Sequence, residues 1–184
     1  MQFYRRNLPH IQRDFTPHFI TFNTKYRQAL PEWARDIVLA CCLHDHGKRY
    51  SLRVAVVMPD HVHLVLTPAV DEVRHTVVSL AEIMKAIKGS SAHAINHRSG
   101  NHATLWQEES FDRIVRSSES LDAKIAYILA NPVRKGLVND WREYAWLWQP
   151  AEYSDSPGHQ RSATHPETTL NNGGRGRPPL HGRT

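Results

Sequence analysis

Cysteine is nearly absent from this 184-residue chain, which holds only Cys41 and Cys42, side by side. Adjacent cysteines rarely bridge each other, because closing the ring strains the peptide between them. They read as reduced, buried, small apolar residues. With no CxxC pair, the pattern argues against a structural zinc finger. Long apolar runs are missing too. No stretch approaches the roughly 18 consecutive apolar residues of a membrane span. The segment 1–13 shows no secretion signal. These absences set the expectation of a cytoplasmic protein with no membrane partner.

What is present suits a globular body: 40% of the residues are hydrophobic. The 23 basic residues outnumber the 18 acidic ones, for a net charge of +5. That balance favours polyanionic partners, nucleic acid first. Residues 18–24, HFITFNT, predict a strand. Pro31 opens a predicted helix to about Leu43, with Gly47 just past its end. YSLRVAVVMPDHVHLVLTP places two β-branched runs around Met58-Pro59-Asp60, a hairpin pattern. A helix is predicted from Asp71 to about Lys88, broken at Gly89, with a shorter one over 91–97. Residues 105–116 predict another strand. Ser117 or Ser118 caps a predicted helix over 119–130, which Pro132 should end. The Trp-rich WREYAWLW should pack back on the body. A domain over 1–153 and a disordered basic tail over 154–184, rich in Ser, Gly, Pro, Thr and Arg, complete the expected organisation.

Two segments carry the chemistry. Along a strand, side chains alternate faces, so His61, His63 and Val65 share one face and Val62, Leu64 and Leu66 the other. Two imidazoles on one sheet face can chelate a divalent cation. On the 119–130 helix, Leu121, Ile125, Ile128 and Leu129 form an apolar stripe. Tyr127 falls outside it, and Asn131 follows one turn later over the same face. Lys124 adds an ammonium to that flank. Nucleophile, ligand and phosphate contact are the roles these types suit. Taken singly, each has a plainer reading: half-exposed histidines on a sheet, a rim tyrosine, an Asn-Pro helix stop.

MPDHVHLVL, then LWQEESFDRIVR, then YILANPVRKGLV, in that order, resembles the REP-associated tyrosine transposases. These are single-tyrosine HUH transposases, related to the smallest insertion-sequence transposases. The likeness runs from about Phe19 to Trp148. It implies an α+β fold, a central antiparallel sheet with helices packed on its faces, as in HUH endonucleases and ferredoxin-like folds. It also implies that His61, His63 and Asn131 are metal ligands and Tyr127 the transesterifying nucleophile. Asp60 departs from the pattern, since many relatives carry Asn there. The substrate implied is single-stranded DNA with a hairpin, cut through a 5′-phosphotyrosine. Imidazoles favour transition metals, whereas amide and phosphate oxygens suit magnesium or manganese. Family precedent selects magnesium or manganese.

Lys124, Arg116, Arg134 and Lys135 are the candidate DNA-backbone contacts, Arg134 and Lys135 foremost. Tyr4 and Trp106 could stack bases. Gly174-Arg175-Gly176-Arg177-Pro178 resembles an AT-hook core, whose arginines suit a narrow minor groove. A homodimer is compatible with the pattern. The alternative reading is a catalytically silent DNA-binding protein or repressor. A further rival is a metallohydrolase with a water nucleophile, which would need Asp60 or Asp112 as general base.

Overall fold

The structure, a computed structural model, describes residues 16–71, 75–115 and 117–151. The expectations for Tyr4, for Arg116 and for the 154–184 tail with its Arg-Gly-Arg core lie outside the described residues. Seven strands and three α-helices are described: β1 (His18–Thr24), α1 (Glu32–His44), β2 (Tyr50–Val57), β3 (His61–Pro68), β4 (Val70–Asp71), β5 (Thr76–Val77), α2 (Leu80–Ser99), β6 (Trp106–Ile114), α3 (Ser118–Arg134) and β7 (Leu147–Trp148). β6, β1, β3, β2 and β7 form one antiparallel sheet in that order, and β4 and β5 a separate small ribbon.

Each sheet face buries its own core. On one, Ile20, Phe22, Leu52, Val62, Leu64 and Leu66 meet Val38 of α1 and Ile83 and Ile87 of α2. On the other, Phe19, Val54, Val56 and Val65 meet Ile125 and Ile128 of α3. Strict alternation would put Leu52 and Val54 on one face. A register shift at Arg53 prevents that, and Leu52 and Val54 serve opposite cores. The Trp-rich segment does pack back: Tyr144 donates its hydroxyl to the Val57 carbonyl at 2.9 Å, and β7 pairs with β2.

Three expected boundaries move. The helix predicted from Asp71 begins at Leu80, where the Ser79 side chain accepts from the Glu82 backbone N–H at 3.2 Å. This is half of a Ser-x-x-Glu capping box. Gly89 does not break it. Ser91 and Ile95 continue the buried stripe, and their packing outweighs the ~1 kcal/mol that a mid-helix glycine costs. The helix stops at Gly100, which takes the left-handed conformation, φ +67°. Pro132 does not end α3, which runs to Arg134 and turns off at Gly136, φ +66°. Asn131 and Pro132 are both buried there, so tertiary packing holds the residue before proline in a helical conformation it otherwise avoids.

A candidate metal and nucleophile site under α3

β3 lies at the sheet centre, and α3 covers the face that carries His61 and His63. Both imidazoles are buried, with ring centroids 4.7 Å apart. Each has its Nδ1 engaged. His61 Nδ1 is 2.6 Å from Asp60 Oδ1, and His63 Nδ1 is 2.7 Å from Thr21 Oγ1. Holding one ring nitrogen fixes the imidazole plane and leaves Nε2 as the free ligating atom. Burial, then the neighbouring His61 and Arg27, push the His63 pKa down to about 3. His63 is therefore neutral at physiological pH, the form a metal requires. Partial burial works to raise the Asp60 pKa, but the hydrogen bond and charge of His61, together with Arg27 at 3.2 Å, hold it below the usual carboxylate range.

Tyr127 is 43% exposed beside Ile128, which is fully buried, so α3 anchors itself through one side and presents the phenol on another. The Tyr127 ring centre lies 6.0 Å from that of His63 and 6.4 Å from that of Phe19. Asn131, one turn on, is buried, and its Nδ2 donates to the Tyr127 carbonyl at 3.0 Å. That bond orients the amide and assigns Oδ1 as the atom available to a cation. Among the described residues there is no group of three or more His, Cys, Asp or Glu that could hold a metal. A third protein ligand would have to be of another type, and an amide oxygen with two imidazoles is a donor set that a divalent cation accepts.

Cations flank the phenol. The Arg134 guanidinium stands 5.2 Å from the Tyr127 ring centre, and Lys124 Nζ stands 5.2 Å from that of Phe19. Lys135 is exposed at the C-cap of α3. Thus His61, His63, Tyr127, Lys124 and Arg134 meet on one face, with Asn131 one helical turn beyond Tyr127. Asp112 does not join them. It pairs with Ile20, which puts it on the opposite face, so the water-nucleophile reading loses that base. Sequence reasoning missed Thr21, Phe19 and Arg27. Alternation along β1 puts Phe19 and Thr21 on one face, but nothing in the sequence says that β1 pairs with β3.

Residues 12–131 match the sequence model of the family described as transposase, IS200-like, well over half of the chain and ending on Asn131. Among solved structures, a REP-associated tyrosine transposase bound to a REP hairpin superposes with a TM-score of 0.60 at 18% identity, over 72% of this chain and 76% of that one. At that identity the likeness concerns the fold. A candidate transposase from Deinococcus radiodurans R1 matches at 25% identity with a TM-score of 0.42, over 62% of this chain and 88% of that one. No curated protein matches the chain.

Proposed function

Since this chain belongs to the IS200-like transposase family, we propose that it is a metal-dependent single-strand DNA nuclease and strand transferase that works through a 5′-phosphotyrosine on Tyr127, and that its substrate is hairpin-bearing repeat DNA. The observation that carries this reading is the pair of buried imidazoles, each held through Nδ1, with the Tyr127 ring 6.0 Å from His63. His61, His63 and Asn131 would hold magnesium or manganese. When bound, the cation supplies Lewis-acid neutralisation of charge on the scissile phosphate.

The chain's own residues do the rest. The Tyr127 phenol attacks phosphorus. The P–Oη bond forms and the P–O3′ bond breaks. The proton lost by the phenol is matched by the one the 3′ oxygen takes up. The phosphodiester's energy is kept in the tyrosyl bond, so a second 3′-hydroxyl can reverse the step and join strands. Lys124 and Arg134 neutralise backbone phosphates beside the nucleophile. Such contacts position DNA without reading its sequence.

Incubation with manganese and hairpin oligonucleotides bearing single-stranded flanks, followed by a denaturing gel, tests the reading. The wild type should form a covalent protein–DNA species. Tyr127→Phe should form none while still binding the hairpin. An adduct in the Phe variant would assign the nucleophile to another residue. Binding with no adduct in the wild type would favour the silent DNA-binding alternative.

A further inference from the structure

Thr21 has two cross-strand partners. It pairs with His63 of β3 on one side and with Phe111 of β6 on the other. Directly opposed residues of a ladder project to one face, so Phe111 shares the sheet face of His61 and His63. Two strand spacings, about 10 Å, separate the Phe111 and His63 backbones. A third ring spans that interval. The Phe19 ring centre lies 6.4 Å from that of Phe111, 6.4 Å from that of Tyr127 and 5.8 Å from that of His63. One buried ring thus joins Phe111 to the proposed nucleophile and to a proposed metal ligand.

Phe111 itself is 59% exposed and belongs to neither core. β6 is an edge strand, where an exposed apolar ring invites pairing with other chains and charge is the usual protection. Trp106, at the start of the same strand, is spent differently. It is buried against Phe22 and donates its indole N–H to Ser91. Phe111 meets Phe19 edge-on, with 74° between the ring planes, a contact that steadies the ring without covering it. Arg113, in register with Phe19, is exposed on the same face. Lys124 stands over Phe19 and Arg134 over Tyr127. Asp112, between Phe111 and Arg113, faces the other way. An open aromatic ring among cations is the arrangement that holds single-stranded nucleic acid, where bases stack and the backbone tracks positive charge.

We infer, building on the function proposed above, that Phe111 is the stacking platform for one unpaired base of the strand that Tyr127 attacks. Every base has a π-face, so such stacking tolerates any sequence. What it requires is a base released from its duplex neighbours. Phe111 therefore selects a single-stranded flank over a paired one and leaves base identity unread.

Hairpin oligonucleotides with single-stranded flanks, bound by the full chain in the presence of chelator, provide the test. An abasic site is placed at each flank position in turn. At one position it should cost the wild type about tenfold in affinity, as loss of a stacked base does elsewhere. Phe111→Ala should lose about tenfold on the intact oligonucleotide and nothing further when that abasic site is added. Phe111→Leu, which keeps an apolar side chain without a π-face, should behave like the Ala variant. Phe111→Trp should retain both the affinity and the abasic penalty. All four proteins should bind the hairpin without flanks equally. An abasic penalty undiminished in the Ala and Leu variants, or an equal loss on the flankless hairpin, overturns the inference. So does a shift from dimer to monomer in Phe111→Ala by analytical ultracentrifugation, since a second copy would then cover the ring. Because no metal is present, these measurements read binding alone. Absence of the covalent adduct with manganese would refute the cleavage reading separately, without altering these outcomes.

Discussion

Thr21 and Asp60 hold the two imidazoles by the same means, a hydrogen bond to Nδ1, and neither is one of the three proposed metal ligands. Outer partners of this kind fix ring orientation, and their loss typically costs about 10–100-fold in metal affinity. Thr21→Ala should therefore weaken manganese binding by about that factor, measured by calorimetry, while Thr21→Ser retains it. Equal affinity in the Ala variant would show that the ring is held by packing alone. His63 also sets a pH dependence. Its pKa in the folded chain, about 3, lies below its ordinary 6.5, so below pH 6.5 the unfolded chain binds a proton that the folded chain refuses. Its contribution to stability is complete above pH 6.5 and is lost as pH falls through that window towards 3. Denaturant titrations of metal-free protein should show stability dropping across the window. His63→Gln should have a shallower slope there; an unchanged slope would assign the acid sensitivity to other groups.

At the scale of elements, α3 brings Tyr127 over the sheet face that carries the two histidines. It is capped by the Ser117 side chain, which accepts from the Ser120 N–H at 3.1 Å, and seated by Ile125 and Ile128. Ile128 is fully buried, and its neighbour Tyr127 takes its position from that seat. Ile128→Ala should cost about 2–5 kcal/mol by lost transfer energy and the cavity left behind. Urea denaturation would measure it, and a cost under 1 kcal/mol would mean that the helix is held mainly elsewhere. The apolar period of α3 was legible, as were β1, α1, the β2–β3 hairpin and β6, since each has strong local signals. The start of α2 was legible too, in Ser79 and Glu82, but a longer apolar period from Val73 outcompeted the cap. Gly89 and Pro132 misled for one reason. Each penalty is local, and burial of Ile95, Asn131 and Pro132 is not.

For the whole molecule, the proposed metal ligands His61, His63 and Asn131 and the proposed nucleophile Tyr127 lie within β3 and α3, all before residue 135. Residues 154–184 are rich in Ser, Gly, Pro, Thr and Arg, and none of the proposed metal ligands or the proposed nucleophile falls among them. We therefore expect deletion of 154–184 to leave cleavage of a short hairpin oligonucleotide at the parental rate. Binding to long A·T-rich duplex should weaken modestly, since Arg175 and Arg177 would be lost, and the difference should shrink as salt rises. A large fall in hairpin cleavage would show that the tail completes the active site. No helix among the described residues is long and apolar enough to cross a membrane.

Most of the elements and the chemistry-bearing residue types were legible in the sequence alone. The alternation of His61, Val62 and His63 and the helical spacing of Tyr127 and Asn131 are periodicities, and a periodicity is readable wherever one face is buried. The sequence also carried the family likeness, because the motif order survives without coordinates. Which strand lies beside which was decided only by tertiary structure. Pairing of β1 with β3 brings Thr21 to His63 and Asn23 to His61 across about forty residues, and the shift at Arg53 lets one strand feed two cores. Such contacts depend on sheet order and register, which the side-chain period of two leaves open: any antiparallel neighbour with a buried face would satisfy the same alternation.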